Sequence, residues 1–296
     1  MKRDKKLQTG PGEFKSRDNL SLCYTVSGSG PALLVPTPGW GASVDMYMKS
    51  LGPLEEHFSV IYFDTRGAGL SEAPAKSSGF KFNLFLDDLE SLRAHLQLDR
   101  WQIFAHSDAA LQALGYAIDH PKKCCGLFIV DGTANVNTKE IDIDARAREK
   151  KLEHEPWFKA AKKAEAKTNQ KNITNAQFRD AFVGDLLPLY FASDKAAARA
   201  RHYFSASTYR VERNTYDYHA PHFKTKMLAQ IQVPTAVFVG DHDVITPPAE
   251  ALRLDRSIAK STLFVIRNAG HFPWLQQREV FFKDFAEASR QIVGTN

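Results

Sequence analysis

The chain has 296 residues, 43% hydrophobic and 25% charged, enough apolar material to bury a sizeable core in one large domain or one domain with an insertion. Its 39 basic and 34 acidic residues leave a formal net charge of +5, a surplus too small to point to nucleic acid when no recognition motif accompanies it. The start, Met1 to Lys6, is polar and basic with no apolar stretch behind it, unlike a secretory signal, and no apolar run is long enough to span a bilayer. Three cysteines (Cys23, Cys124 and Cys125), two of them adjacent, do not make a disulfide framework. These features give no sign of a nucleic-acid or membrane partner and make a reducing, cytoplasmic setting the default expectation, with the oligomeric state open.

In chain order, the first dozen residues are expected to be mobile. Residues 20–26 read as a strand, Gly28, Gly30 and Pro31 as a turn, and residues 32–36 as a second strand. Residues 58–64 form a continuous apolar run, the pattern of a strand buried on both faces. Phe82, Phe85, Leu86, Leu89, Leu92 and Leu96 recur at helical spacing within 81–96. A strand at 101–105 leads into a helix over 107–119, stopped by Pro121, and 127–130 is another buried strand.

From Asn135 to about Phe223 the chain carries charged helical segments and no buried strand. The basic residues of 146–171 are interleaved with Glu149, Glu153, Glu155 and Glu165, as on a solvated helix face. Alternation then resumes: strand 235–240, helix 248–257, strand 261–266, helix 279–293. Strands separated by helices imply right-handed crossovers and a mostly parallel sheet flanked by helices. The expected organisation is a core of residues 1–134 and 224–296, with a helical insertion, 135–223, after the sixth strand.

The chemistry concentrates at strand ends. Ala105-His106-Ser107-Asp108-Ala109 lies where a strand turns sharply into a helix. At such an elbow a serine takes a strained backbone conformation and presents its oxygen above the sheet, with small residues two before and two after. A serine that merely caps the helix fits the same five residues. Here the chain resembles the α/β-hydrolase family, whose usual elbow is Gly-x-Ser-x-Gly; both small positions are alanine. Epoxide hydrolases and haloalkane dehalogenases of similar fold use aspartate as nucleophile, whereas here the aspartate comes one residue later, at Asp108.

A serine hydroxyl needs a histidine to take its proton, and the histidine a carboxylate to fix its tautomer. Of ten histidines, His271 lies in Asn268-Ala269-Gly270-His271-Phe272-Pro273-Trp274, directly after the last strand, and this loop resembles the family's histidine loop. The resemblance places the acid at Asp243 in Gly240-Asp241-His242-Asp243. Asp131, at the end of the sixth strand, is the alternative acid, because some family members place theirs there; Asp241 ranks third.

The oxyanion of acyl transfer needs two backbone donors aimed at one point. The Asp108 amide is one. The loop Thr37-Pro38-Gly39-Trp40-Gly41-Ala42-Ser43 resembles the family's His-Gly-x-Gly loop, with Pro38 in the histidine's place, which makes the Trp40 amide the second. Asp64-Thr65-Arg66-Gly67-Ala68-Gly69-Leu70-Ser71 resembles a family turn and reads as structural, with Arg66 anchoring its neighbours. The stretch from Gly240 to Trp274 looks most like the proline iminopeptidase-like branch.

The resemblance implies that the insertion folds over the strand ends as a lid. Its aromatics, Tyr190 among them, together with Gly39, Trp40 and Phe272, imply a largely apolar pocket for a small-molecule substrate. The expected activity is hydrolysis of a carboxylic ester or lactone through Ser107, Asp243 and His271, with no cofactor and no metal. An aminopeptidase or amidase, a carbon–carbon bond hydrolase and a catalytically weak ligand receptor are the alternatives on the same residues.

Overall fold

The computed structural model describes residues 7–38, 41–136, 138–170, 172–211 and 219–294. Strands β1 (Gly10–Lys15), β2 (Ser21–Gly28) and β3 (Ala32–Pro36) come first, followed by short helices α1 (Asp45–Ser50) and α2 (Gly52–Glu55) and strand β4 (Ser59–Phe63). Then α3 (Phe82–His95), β5 (Trp101–His106), α4 (Ala109–Asp119) and β6 (Cys124–Val130) alternate. Helices α5 (Lys139–Leu152), α6 (Phe158–Thr168), α7 (Asn175–Ala181) and α8 (Asp194–Ser205) follow β6. A π-helical turn (Phe182–Leu186) and a 3-10 turn (Leu187–Tyr190) run on from α7. The chain closes with α9 (Thr225–Leu228), β7 (Thr235–Gly240), α10 (Pro248–Ser257), β8 (Ser261–Ile266), α11 (Pro273–Gln276) and α12 (Arg278–Gly294).

The sheet order is β1-β2-β4-β3-β5-β6-β7-β8. The six strands from β4 to β8 pair in parallel, and β1 and β2 add an antiparallel edge. Alternate residues feed two cores. Leu33, Val35, Phe104, Phe128 and Val130 face one side, while Leu34, Ile103, Ala105, Leu127 and Ile129 face the other against α3, α4 and α10. Period-two alternation in strands buried on both faces produces this division, and burying each large side chain contributes about 1.5–3 kcal/mol.

The N-terminal expectation is corrected from residue 10 on, while residues 1–6 lie outside the described residues. Gly10–Lys15 is a strand, paired in register from Gly10–Val26 to Lys15–Ser21. Phe14 anchors it, buried 5.8 Å from the Phe63 ring. The Ser16 hydroxyl accepts from the Leu20 amide at 2.8 Å, closing the hairpin turn, where Asn19 takes a positive φ of 67°. Gly10-Pro11-Gly12 has the composition of a turn, but an edge strand tolerates those residues because one side of its backbone needs no partner.

The segment between β6 and β7 is helical where described, as its charged periodicity implies. Side-chain caps start α5 at Thr138, α7 at Thr174 (a capping box with Gln177) and α8 at Ser193. The segment's two ends meet: the Phe223 amide donates to the Ala134 carbonyl at 2.9 Å, and Asn135 Nδ2 to the Ala220 carbonyl at 2.9 Å. Phe182, Leu187, Phe191 and Phe204 join the same apolar cluster as Phe272 and Trp274, so the helices share a core with the sheet. Among the described residues no helix is long and apolar enough to cross a membrane.

Arg66 ties the turn after β4 to its surroundings. Its guanidinium grips Asp88 of α3 through two 2.6 Å bonds, reaches Asp18 at 2.9 Å and donates to the Gly79 carbonyl at 2.7 Å. Arg66 and Asp88 are each 1% exposed. Removing one partner of such a pair leaves a buried charge uncompensated. Arg66→Met is therefore expected to lower the unfolding free energy in urea by about 3–5 kcal/mol; a variant as stable as the parent would show that the pair holds nothing.

Candidate active site

Three strand ends carry the site. β5 ends at His106, and Ser107 follows with φ +59° before α4 begins at Ala109. This left-handed conformation costs a non-glycine residue about 1–3 kcal/mol, so the surroundings must enforce it. The Ser107 amide donates to the Val130 carbonyl at 3.1 Å, and the Thr133 amide to the Ser107 carbonyl at 3.3 Å. Ala105 and Ala109 are fully buried beside the turn. A Cβ on Gly132 would come within 2.7 Å of Ala110 Cβ, so the elbow is closed in by atoms too near to admit larger residues.

β7 delivers Asp243 and β8 delivers His271. Their loops touch: a Cβ on Gly240 would lie 2.3 Å from the Gly270 carbonyl oxygen. His271 Nε2 is 3.0 Å from Ser107 Oγ, and His271 Nδ1 is 2.8 Å from Asp243 Oδ2. A carboxylate accepts, so Nδ1 carries the proton and Nε2 is free to accept from the serine hydroxyl. Asp243 Oδ1 accepts the Ile245 and Thr246 amides at 2.8 and 3.2 Å, and Oδ2 also accepts the Thr246 hydroxyl at 2.7 Å. Burial pushes the Asp243 carboxyl up, but His271 and these hydrogen bonds outweigh it and hold the group below the ordinary carboxylate range.

Asp131 sits behind this pair. Its Oδ1 accepts the Gly240 amide at 2.9 Å, and among the described residues Oδ2 makes no hydrogen bond. Burial first, then the charge of Asp243, pushes its carboxyl well above the ordinary value. The resemblance placed the acid at Asp243 with Asp131 as the alternative; His271 Nδ1 donates to Asp243. Asp131, Asp243 and His271 each present an atom within 4.8 Å of the others, all buried. A cation there would have to displace the hydrogen bond at His271 Nδ1; the arrangement fits a shared proton.

Asp108 is the N-cap of α4, where first-turn amides point away from the helix. The Gly39 and Trp40 positions, expected to contact substrate and to supply the second donor, lie outside the described residues. The loop beyond them is stitched to the chain after α8: the Arg210 amide donates to the Gly41 carbonyl at 2.9 Å, and Ala42 bridges Tyr209. Tyr190 is half-buried, its ring edge-on to His271 at 5.5 Å. Phe272 is fully buried, packed against His106 at 4.9 Å and Phe204 at 4.9 Å, and forms the layer behind His271. Asp241 holds the turn through His242 at 2.6 Å.

Two contributors escaped the sequence reading. Thr246 was visible only as part of the stretch after Asp243, and its hydroxyl lies 2.7 Å from Asp243 Oδ2 and 2.8 Å from the Asp131 carbonyl oxygen. The Tyr190 carbonyl accepts the His271 amide at 2.8 Å, a main-chain contact that no side-chain motif announces.

A family model described as the alpha/beta hydrolase fold matches residues 32–277. A probable proline iminopeptidase of Leptolyngbya boryana is 28% identical over 267 residues, covering 79% of this chain and 78% of its own length. An alpha/beta fold family hydrolase from Bacillus anthracis superposes with a TM-score of 0.75 at 19% identity, covering 96% of this chain and all of its own. The enol-lactonase of Burkholderia xenovorans gives 0.69 at 20% identity, covering 94% and 99%.

The Asp131 carboxyl has a consequence for stability. Because its folded value is raised, its contribution is fully present below about pH 4, the unfolded value, and is lost as pH rises through the folded value. Asp131→Asn, neutral at every pH, removes that dependence. Denaturant unfolding at pH 5 and pH 8 should show a smaller loss of stability across the interval in the variant than in the parent. Equal losses would mean that Asp131 is ionised in the folded protein.

Proposed function

The chain belongs to the α/β hydrolase fold family, and from that premise we propose that it is a cofactor-independent serine hydrolase that cleaves a carboxylic ester or lactone. The observation that carries the reading is the hydrogen-bonded line from Ser107 Oγ to His271 Nε2, 3.0 Å, and from His271 Nδ1 to Asp243 Oδ2, 2.8 Å. Ser107 is the nucleophile, His271 the general base and Asp243 the orienting acid.

Ser107 Oγ attacks the carbonyl carbon while its proton passes to His271 Nε2. The buried Asp243 carboxylate stabilises the imidazolium. The oxyanion is assigned to the Asp108 amide at the positive end of α4, with the Trp40 amide, outside the described residues, kept from the sequence as the second donor. As the carbon–oxygen bond breaks, His271 returns the proton to the leaving alkoxide and an acyl-serine remains. Water, deprotonated by His271, attacks the acyl carbon, and the acid leaves with Ser107 reprotonated. Residues 135–223 act as a lid whose Tyr190 ring walls a largely apolar pocket, with the core assigned to 1–134 and 224–296.

A second reading, an aminopeptidase on the same residues, is favoured by the name of the Leptolyngbya boryana relative. The two separate on substrates. Purified protein should hydrolyse p-nitrophenyl esters or lactones, with Ser107→Ala inactive. Release of naphthylamine from aminoacyl-naphthylamides at a higher kcat/KM than any ester or lactone would move the assignment to the aminopeptidase. Asp243→Asn is expected to lower kcat about 10⁴-fold with the fold intact; near-normal turnover in that variant would transfer the acid's role to Asp131.

A further inference from the structure

The residue before Ser107 is His106, which occupies an unspecified position of the elbow motif, yet its imidazole is 1% exposed and makes two hydrogen bonds. His106 Nε2 lies 2.7 Å from the carbonyl oxygen of His271, and its Nδ1 lies 2.8 Å from the hydroxyl of Tyr47 in α1. A carbonyl only accepts, so Nε2 carries the proton. In a neutral ring Nδ1 is then an acceptor, and the Tyr47 hydroxyl must be its donor. The ring is neutral: burial first, then the neighbouring His271, push its imidazole well below the usual value, against the opposing pull of the bond to the His271 carbonyl. Tyr47 is fully buried, and its phenol is pushed well above its ordinary value, first by burial, so it remains a donor at any working pH. Trp274 fixes both rings, stacked on Tyr47 at 6.0 Å and edge-on to His106 at 4.9 Å.

The two ends of His271 are thus held by different elements. Its carbonyl accepts from His106 at the end of β5, and its amide donates to the Tyr190 carbonyl at 2.8 Å. We propose that His106 is a positioning residue for His271: its Nε2–H grips the His271 carbonyl, Tyr47 fixes the tautomer that permits the grip, and Tyr190 holds the opposite side of the same residue. The proposal rests on the reading of His271 as general base. Its physical content is geometric. The His271 ring must hold Ser107 Oγ at 3.0 Å and Asp243 Oδ2 at 2.8 Å together, and a misplacement of about 1 Å costs on the order of 10² in rate. Because His106 ends β5 and Ser107 follows it directly, one strand end sets the nucleophile and the base against each other.

The test compares His106→Phe, which keeps a ring and loses the donor, with His106→Gln, whose amide reaches the same place and donates. Two readouts are taken: kcat and KM for p-nitrophenyl acetate, and the far-downfield proton resonance of His271 Nδ1–H. His106→Phe should lower kcat about tenfold or more with KM within about twofold, the size expected for one lost buried hydrogen bond acting through geometry, and should broaden or abolish the resonance. His106→Gln should recover kcat to within about threefold of the parent and keep the resonance. A His106→Phe protein with parental kcat and an intact resonance, or a His106→Gln protein no better than His106→Phe, overturns the proposal. Should His106→Phe fail to fold, Tyr47→Phe replaces it, with an expected fall in kcat of about threefold to tenfold and a broadened resonance; no change in either overturns the proposal equally. If the parent protein hydrolyses nothing, the functional reading fails, and the resonance alone still decides whether His106 positions His271.

Discussion

Ser107 stands at φ +59°, a conformation that its own side chain disfavours, and packing holds it there rather than local preference. Everything in the site depends on that reversal. With an ordinary φ the chain would run from β5 into α4 without lifting the hydroxyl above the sheet, and Oγ would not come within 3.0 Å of His271. The constraint accounts for the small residues nearby. Ala105, Ala109 and Ala110 are fully buried, and Gly132 sits where a side chain would strike Ala110. It also accounts for the register of β6, since the Val130 carbonyl must be in place to accept the Ser107 amide.

Behind the elbow the electrostatics follow from burial. Two carboxylates, Asp243 and Asp131, share one dry region with a single imidazole. Both cannot be charged there without a large desolvation cost. The hydrogen-bond supply decides which one ionises. Asp243 has two amides, a hydroxyl and His271; Asp131 has one amide. The charged form is favoured at Asp243 and disfavoured at Asp131, whose carboxyl also links β6 to the end of β7. The Thr246 hydroxyl lies between the Asp243 carboxylate and the Asp131 main-chain carbonyl and ties the two residues together.

Much of this arrangement was legible in the sequence, for physical reasons. The continuous apolar runs at 58–64 and 127–130 announced strands buried on both faces, and Phe82 to Leu96 announced a helix by spacing alone. Ser107, Asp243 and His271 were legible because each lies at a strand's C-terminal end, Ser107 between Ala105 and Ala109 and the other two just after Gly240 and Gly270. The edge strand β1 was not legible, because its glycines and proline speak for a turn and only its pairing with β2 makes it a strand. The sequence ranked Asp243 ahead of Asp131 by resemblance alone; the physical distinction, how many donors each oxygen meets, lies in the fold. The contacts of His106 with the His271 carbonyl and of Tyr190 with the His271 amide involve backbone atoms, which no residue pattern encodes.

The central claim is that Ser107 is an activated nucleophile. Reaction with a fluorophosphonate, read by intact mass and by peptide mapping, tests it without knowledge of the substrate. The account predicts a single covalent adduct, mapped to Ser107 and absent from Ser107→Ala. A folded protein that forms no adduct, or one that carries it on another residue, would contradict the account.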